Sequence, residues 1–230
     1  MCAQEIVAGA CAAIGTRALL LLVLGFAGPV AGQAVDHHEH RFSGAERWAA
    51  IFDDPARDEW QKPDEVLRAL KLPPNATVAD IGAGTGYFAT RLARALPRGR
   101  VYGVDAEPDM VQYLGERAQR ENLANLTPVL ARPDDPGIPV RVDVVIMVDT
   151  YHHIPERERY FQSLQKSFRT GGRLAIIDFN LESPVGPPVR SRIPGGRVKQ
   201  EMARAGYRLL EEHKFLPHQY FLVFRPETYR

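Results

Sequence analysis

The sequence predicts an α/β fold: a mostly parallel sheet with helices on both faces, an antiparallel pair of strands at its end, and a short helical segment before it. Two observations support this prediction. From residue 77 onward, short apolar runs typical of strands alternate with longer amphipathic segments typical of helices. Near the C terminus only residues 215–219 separate two strand-like runs. That is too few residues for a parallel crossover, so the last two strands should be antiparallel.

The elements follow in order along the chain. Helical patterns at residues 45–52 and 63–70 precede the sheet, and Pro63 suits the first turn of the second. Seven runs are predicted as strands: 77–81, 100–104, 127–130, 142–148, 173–177, 207–214 and 220–225. Four later segments are predicted as helices: 87–96, 109–121, 156–168 and 197–205. Proline and glycine mark residues 180–196 as a long loop.

Composition limits the classes of function. The chain has 230 residues, with 45% hydrophobic and 25% charged residues and a formal net charge of +1. These values fit one globular domain with a sizeable core, and they give no electrostatic reason to expect general binding of nucleic acid or of a membrane surface. The only cysteines are Cys2 and Cys11, which excludes a scaffold of several disulfides and a four-cysteine zinc site.

The first 34 residues have the pattern of a secretory signal peptide. Arg17 precedes an apolar run at 18–28, and small residues follow at 30–34. An uncleaved membrane anchor and a cytosolic protein with a misassigned start are the alternatives. We therefore expect an exported protein if the leader is cleaved, and a membrane-anchored or cytoplasmic one otherwise. Both cysteines lie in this leader, so the mature chain would contain no thiol.

The mature chain then divides into two predicted parts. Residues 35–72 form a histidine-rich tail and a helical cap, and residues 73–230 form the sheet domain. The tail begins with the run His37-His38-Glu39-His40, whose side chains suit zinc or copper. Nothing upstream in the mature chain would complete a rigid site, so we expect a mobile tail and no metal centre.

A glycine-rich loop is the most informative motif. Gly82-Ala83-Gly84-Thr85-Gly86 joins the first strand to a helix, and Asp80 lies two residues before the first glycine. Glycines permit a tight turn and let a ligand approach the backbone. The Gly-x-Gly-x-Gly spacing differs from the dinucleotide pattern Gly-x-Gly-x-x-Gly, and a carboxylate so close would repel a pyrophosphate. The cationic nucleoside S-adenosylmethionine fits the loop better.

A second carboxylate follows the second strand. Asp105 lies 19 residues beyond Gly86, with Ala106 beside it. An acidic side chain at this place can accept hydrogen bonds from both ribose hydroxyls, which predicts a nucleoside without distinguishing which one. The alternative role for Asp105 is to cap the helix that follows.

Four segments of the chain resemble the class I S-adenosylmethionine-dependent methyltransferases, over a span of about 66–225. They are the glycine motif at 78–86, the ribose-binding strand at 101–105, the fourth strand at 143–149 with 151–154, and the Gly-Gly turn with the fifth strand at 168–174. The resemblance implies a Rossmann-like sheet of seven strands and S-adenosylmethionine as the cofactor. It also implies that an acidic residue after the third strand holds the adenine amino group. Asp134 or Asp135 matches that position, and a polar surface turn is the alternative.

Polar side chains follow the fourth strand and should face the crevice beyond the carboxyl ends of the strands. They are Asp149, Tyr151, His152 and His153. Methyl transfer is an in-line displacement that needs a base only if the acceptor must lose a proton. We expect His152 or His153 to be that base, with Asp149 and Tyr151 as orienting groups. The alternative is that one histidine packs against the following helix or caps it.

Several acceptors can be argued against. Amino-directed DNA methyltransferases carry an Asn/Asp-Pro-Pro-aromatic tetrad after this strand, whereas residues 149–152 contain no proline. Methylation of cytosine carbon 5 and of arsenite needs thiolates, which a mature chain would lack. The prediction is a methyltransferase for a small molecule, with a protein side chain as the second choice, and not for nucleic acid. An NAD(P)-dependent oxidoreductase and a non-catalytic exported protein that binds a nucleoside or a metal are the alternatives.

Overall fold

The structure, a computed structural model, describes residues 44–132 and 134–227. The predicted leader at 1–34 and the histidine run at 37–40 lie outside the described residues, so both stay predictions. In the part of the chain that the structure does describe, no helix is long and apolar enough to cross a membrane.

Seven strands form one sheet. They are β1 (Thr77–Ile81), β2 (Arg100–Asp105), β3 (Leu126–Leu130), β4 (Val142–Val148), β5 (Phe168–Phe179), β6 (Tyr207–His213) and β7 (Gln219–Pro226). Their order across the sheet is β3-β2-β1-β4-β5-β7-β6. The first five strands in this order are parallel, and β7 is antiparallel to both of its neighbours. The predicted fold class is confirmed.

Helices cover both faces of this sheet. They are α1 (Ala45–Phe52), α2 (Arg57–Gln61), α3 (Pro63–Ala69), α4 (Tyr87–Ala95), α5 (Pro108–Arg120), α6 (Arg157–Leu164) and α7 (Gly195–Arg204). One buried cluster joins the sheet to α3, α4 and α5, and a second joins it to α6 and α7. Side chains alternate between the two clusters along each strand, as Val78 and Ala79 do on β1.

Three elements differ from the sequence prediction. Helix α2 was not predicted, because five residues are too few to show a helical period. Strand β5 begins at Phe168 and not at residue 173, since Gly171 has a φ of +78° and forms an irregularity within the strand. The helix predicted at 156–168 ends at Leu164 and continues as a 3-10 turn.

The parallel strands bring four carboxylates to one edge of the sheet. Asp80, Asp105 and Asp178 lie within the last two residues of β1, β2 and β5, and Asp149 directly follows β4. Parallel strands end at the same edge, which is where open α/β sheets bind their ligands. The candidate site is therefore a line of acidic groups along this edge.

Candidate active site

The glycine loop lies over the end of the neighbouring strand β2. The N–H groups of Gly82 and Ala83 both donate to the carbonyl of Val104, at 2.8 and 3.0 Å. A Cβ on Gly82 would lie 2.2 Å from Oγ1 of Thr150, and one on Gly86 would lie 2.4 Å from Cδ1 of Leu114. Both glycines also have a positive φ. The loop can therefore form only with a bare backbone at these two positions.

Asp105 is bound directly to this loop. Its Oδ2 accepts the N–H of Gly84 at 2.8 Å, and its Oδ1 accepts the N–H of Glu107 at 3.0 Å. Burial raises the pKa of Asp105, and the two N–H groups act in the opposite direction. The structure thus brings the predicted ribose-binding carboxylate and the glycine loop together, with Ala106 next in the chain.

Asp80 and Asp149 are the other predicted cofactor ligands at this edge. Burial, together with the charge of Asp105, raises the pKa of Asp80 to about 7, while Arg57 acts to lower it. Burial also raises the pKa of Asp149 to about 7, although Arg57 lies 3.0 Å from its Oδ2. One guanidinium thus compensates only part of the negative charge buried here.

A cationic nucleoside fits these groups. S-adenosylmethionine brings an ammonium and a sulfonium to the carboxylates, and two ribose hydroxyls that can donate hydrogen bonds. Within the loop itself, Oγ1 of Thr85 is buried and has no hydrogen-bond partner, which leaves a polar atom for a ligand to satisfy. A pyrophosphate would instead add negative charge beside Asp80 and Asp149. The carboxylates and the Thr85 hydroxyl at this site therefore fit S-adenosylmethionine better than a dinucleotide.

Beyond the cofactor loop, His152 forms a buried pair with Asp178. The Nδ1 atom of His152 lies 3.0 and 2.9 Å from the two carboxylate oxygens of Asp178, and its backbone N–H donates to Oδ2 at 3.2 Å. The side chains of His152 and Asp178 are 4% and 2% exposed. Because the carboxylate accepts the Nδ1 proton, a neutral imidazole has its lone pair on Nε2. This is the arrangement of an oriented base.

Asp178 was missed by the sequence prediction. It is a lone carboxylate in the apolar run Ile176-Ile177-Asp178-Phe179, at the end of a strand, and that contrast is the signal that could have identified it. His153 lies on the outside of the pair, exposed, with its ring centroid 4.1 Å from that of His152. Of the two candidate bases, His152 is held by the carboxylate of Asp178.

Tyr151 is not part of the His152–Asp178 pair. Its side chain is fully buried, its ring stacks on Phe161 at 5.3 Å, and its hydroxyl donates to Glu201 at 2.7 Å. The expectation that Tyr151 faces the crevice is corrected. Residues 151–153 form a 3-10 turn, in which successive side chains point about 120° apart, so Tyr151 points towards α6 and α7 while His152 points to Asp178.

The acidic positions after β3 lie on a turn. Asp134 is exposed on a turn. Asp135 binds Lys166 at 3.1 Å and accepts the N–H of Gly137 at 2.9 Å. These contacts fit the alternative of a polar surface turn. The role implied for one of them, holding the adenine amino group, stays a prediction.

An N-terminal cap, residues 45–61, lies against the cofactor loop and was foreseen only in outline. Phe52 approaches the position of a Cβ on Gly84 to 3.4 Å. Asp53 pairs with Arg117 at 2.8 Å, and Arg117 also donates to the carbonyl of Thr85 at 3.0 Å. The cap therefore contacts the loop both directly, through Phe52, and through Arg117.

Comparison with known proteins identifies the family. A family model described as a methyltransferase domain matches residues 72–213, from shortly after α3 to the last residue of β6. The chain belongs to this methyltransferase-domain family. The glycine loop, Asp105, Asp149 and the His152–Asp178 pair all lie within the matched residues.

Individual relatives agree with this assignment. The chain is 31% identical over 115 residues to an arsenite methyltransferase of Halobacterium salinarum, covering 49% of this chain and 29% of that protein. It is 28% identical over 188 residues to a trans-aconitate 2-methyltransferase of Afipia carboxidovorans, covering 79% and 67%. The chain thus spans less than a third of the first relative, and the activities of these proteins do not transfer to it directly.

A solved structure extends the likeness to the fold. The crystal structure of a SAM-dependent methyltransferase from Aquifex aeolicus aligns with a TM-score of 0.72 and 26% identity, over 78% of this chain and 97% of that one. The cofactor of this domain is S-adenosylmethionine, and the oxidoreductase alternative is not favoured.

Proposed function

We propose that the protein methylates a small molecule at an atom that must lose a proton, and that His152 removes this proton. The observation that carries the proposal is the His152–Asp178 pair at the carboxyl edge of the sheet, next to the cofactor loop. An acceptor that needed no deprotonation would not require an oriented imidazole there.

The reaction divides between the cofactor and the chain. Bound S-adenosylmethionine supplies the methyl group: a bond forms between its carbon and the acceptor atom, the carbon–sulfur bond breaks, and the electron pair stays on sulfur. His152 accepts the acceptor's proton on Nε2, and Asp178 stabilises the imidazolium that results. Asp105 is assigned to the ribose hydroxyls, and Asp80 and Asp149 to the ammonium of the cofactor.

The nature of the acceptor is argued from what borders the site. The ring of Trp60 lies 5.9 Å from that of Phe179 and 6.3 Å from that of His218, which provides an apolar wall beside the end of β5. Outside the predicted leader the sequence contains no cysteine, so the arsenite chemistry named for one relative lacks its thiols here. The other relative's acceptor, trans-aconitate, already presents ionised carboxylates that need no base, so hydroxyl compounds are the first group to test and organic acids serve as the comparison.

Cofactor binding can be tested before the acceptor is known. S-adenosylhomocysteine should raise the melting temperature of the purified protein, and NADH should not. Asp105→Ala should abolish the stabilisation, whereas Asp64→Ala, at an exposed position on α3, should retain it. Stabilisation by NADH alone would refute the assignment, and unchanged binding in Asp105→Ala would refute the role of Asp105.

The base can then be tested with S-adenosylmethionine labelled in its methyl group. Incubation with a small-molecule extract should place the label in a low-molecular-weight product, and the rate should fall about 10²–10⁴-fold in His152→Ala and in Asp178→Asn. Affinity for S-adenosylhomocysteine should persist in both variants. Label in protein or nucleic acid would contradict the acceptor class, and full activity in His152→Ala would exclude the base.

Export is a separate proposal that rests on residues 1–34 alone. The positive residue, apolar run and small-residue window support cleavage of a signal peptide near Ala34. Mass spectrometry of the native N terminus tests it. A mature protein that starts near residue 35 is expected, and an intact leader on a protein recovered from the cytosol would refute it.

A further inference from the structure

Four side chains form a closed hydrogen-bonded ring that joins the cap to the end of β4. Nε of Arg57 donates to Oε1 of Gln61 at 2.9 Å, and Nε2 of Gln61 donates to Oε1 of Gln219 at 2.6 Å. Nε2 of Gln219 donates to Oδ1 of Asp149, and Arg57 closes the ring with a bond to Oδ2 at 3.0 Å. The ring thus connects α2, β7 and the residue after β4.

The chemistry of its two charged members fixes the direction of every bond. A guanidinium can only donate, and an ionised carboxylate can only accept. The amide of Gln219 must therefore turn its NH₂ group to Asp149 and its oxygen to Gln61, and Gln61 must turn its oxygen to Arg57. Both amides can satisfy the ring in one orientation only, so the ring specifies the position of each oxygen of Asp149.

The burial of the ring and the backbone conformation of Asp149 show that the side chains of the ring are held in place. The side chains of Gln61 and Gln219 are almost completely buried, at 0% and 2% exposure. Two buried amides cost free energy unless they are hydrogen-bonded, and their bonds are those of the ring. Asp149 also has a φ of +55°, a left-handed conformation that a non-glycine residue keeps only where its surroundings hold it.

We infer that Gln61 and Gln219 are positioning residues for cofactor binding, which hold the carboxylate of Asp149 in the orientation that receives the ammonium of S-adenosylmethionine. This inference rests on the proposed role of Asp149 as a cofactor ligand. Two of the roughly four acceptor positions of a carboxylate are taken by Arg57 and Gln219, and the others are available to a ligand. Because Arg57 and Gln61 of the ring belong to α2, the ring also makes the cofactor site depend on the cap.

The first test removes one amide at a time. Gln219→Leu and Gln61→Leu should each weaken the affinity for S-adenosylhomocysteine about 10-fold, measured by calorimetry, since each breaks the ring at one bond. Gln165→Leu is the matched control: Gln165 is a buried amide that donates to the carbonyl of Ala205 at 2.6 Å, far from the cofactor loop. It should lower the melting temperature without changing the affinity.

The second test separates positioning from simple packing. In Gln219→Glu, a carboxylate replaces the donor that faces Asp149. The other charged or titratable groups that interact with Asp149 are Arg57 from α2, Asp178 from β5, His152 from the 3-10 turn and Tyr220 from β7, and none of them changes in this variant. At pH 6 the two carboxylates can share one proton, which restores a donor, whereas at pH 8.5 both are charged and repel each other.

The expected result is a penalty that grows with pH. The ratio of the dissociation constants of Gln219→Glu and the wild type should be near 1–3 at pH 6 and above about 10 at pH 8.5. A ratio that is constant with pH, or affinities in the leucine variants equal to that of Gln165→Leu, would overturn the inference. Failure of the wild type itself to bind S-adenosylhomocysteine would instead overturn the proposed function.

Discussion

The affinity for S-adenosylhomocysteine should rise steeply with pH, because its proposed carboxylate ligands are largely protonated below neutrality. Burial raises the pKa values of Asp80 and Asp149 to about 7. A group with such a pKa is roughly 3% ionised at pH 5.5 and about 97% ionised at pH 8.5. If binding requires one ionised carboxylate, affinity should increase about 30-fold over this range. If it requires both, the increase approaches about 1,000-fold.

Isothermal titration calorimetry across this pH range provides the assay. Repeating it at pH 6 in buffers of different ionisation enthalpy also counts the protons that binding releases, and one to two are expected for these carboxylates. Asp149→Asn should remove one group from the dependence and leave a shallower slope. An affinity that is flat with pH, or that strengthens towards pH 5.5, would refute the assignment of Asp80 and Asp149 to the ammonium.

The stability of the unliganded protein should change in the opposite direction. Both carboxyl groups have a folded pKa above the value of about 3.8 expected when unfolded. Their contribution to stability is therefore fully present below about pH 4 and is lost as the pH rises through about 7. Urea denaturation of Asp80→Asn and Asp149→Asn should show a weaker loss of stability between pH 5 and 8 than the wild type, and an equal loss would contradict the burial argument.

Four further substitutions test the site and its supports. Gly84→Ala and Gly171→Ala both place a side chain at a positive φ without a severe clash. Each should therefore lower the free energy of unfolding by about 1–2 kcal/mol. Only Gly84→Ala should also weaken S-adenosylhomocysteine binding. Equal binding by both would contradict the loop assignment. Glu201→Gln should cost about 3 kcal/mol in urea denaturation, because Glu201 accepts bonds from Tyr151 and Arg157, and a loss below 1 kcal/mol would contradict this. Arg192→Met should expose the loop at 180–192 to limited proteolysis, since Arg192 donates to five of its carbonyls; an uncut loop would refute that role.

Features that depend on local sequence were predictable. The glycine loop and Asp105 are defined by spacing within one strand–helix–strand unit, and the structure places them in contact, at 2.8 Å between Gly84 N and Asp105 Oδ2. The antiparallel end of the sheet followed from the shortness of a single connection. In each case the residues that determine the structure lie close together in the chain, so the sequence pattern alone is enough to predict it.

Features that depend on distant contacts were not predictable in the same way. Arg57 and Gln219 are 92 and 70 residues away from Asp149, and no pattern in the sequence links them. Asp178 stands out as a carboxylate in an apolar run, but its pairing with His152, 26 residues away, is not visible in the sequence. Tyr151 was assigned to the crevice because it follows β4, but the 3-10 turn directs it to Glu201.

Arg192 has a consequence for how this protein can diversify. Among the described residues, its buried guanidinium donates to main-chain carbonyls, those of Asn180, Leu181, Ser183, Val185 and Pro187. An anchor to main-chain atoms does not depend on which side chains the loop carries, and Leu181 and Val189 of the same segment are already exposed. The loop that follows β5 can therefore exchange its outward side chains while keeping its course. It offers evolution, or a designer, a place to change the surface of the protein without changing how it folds.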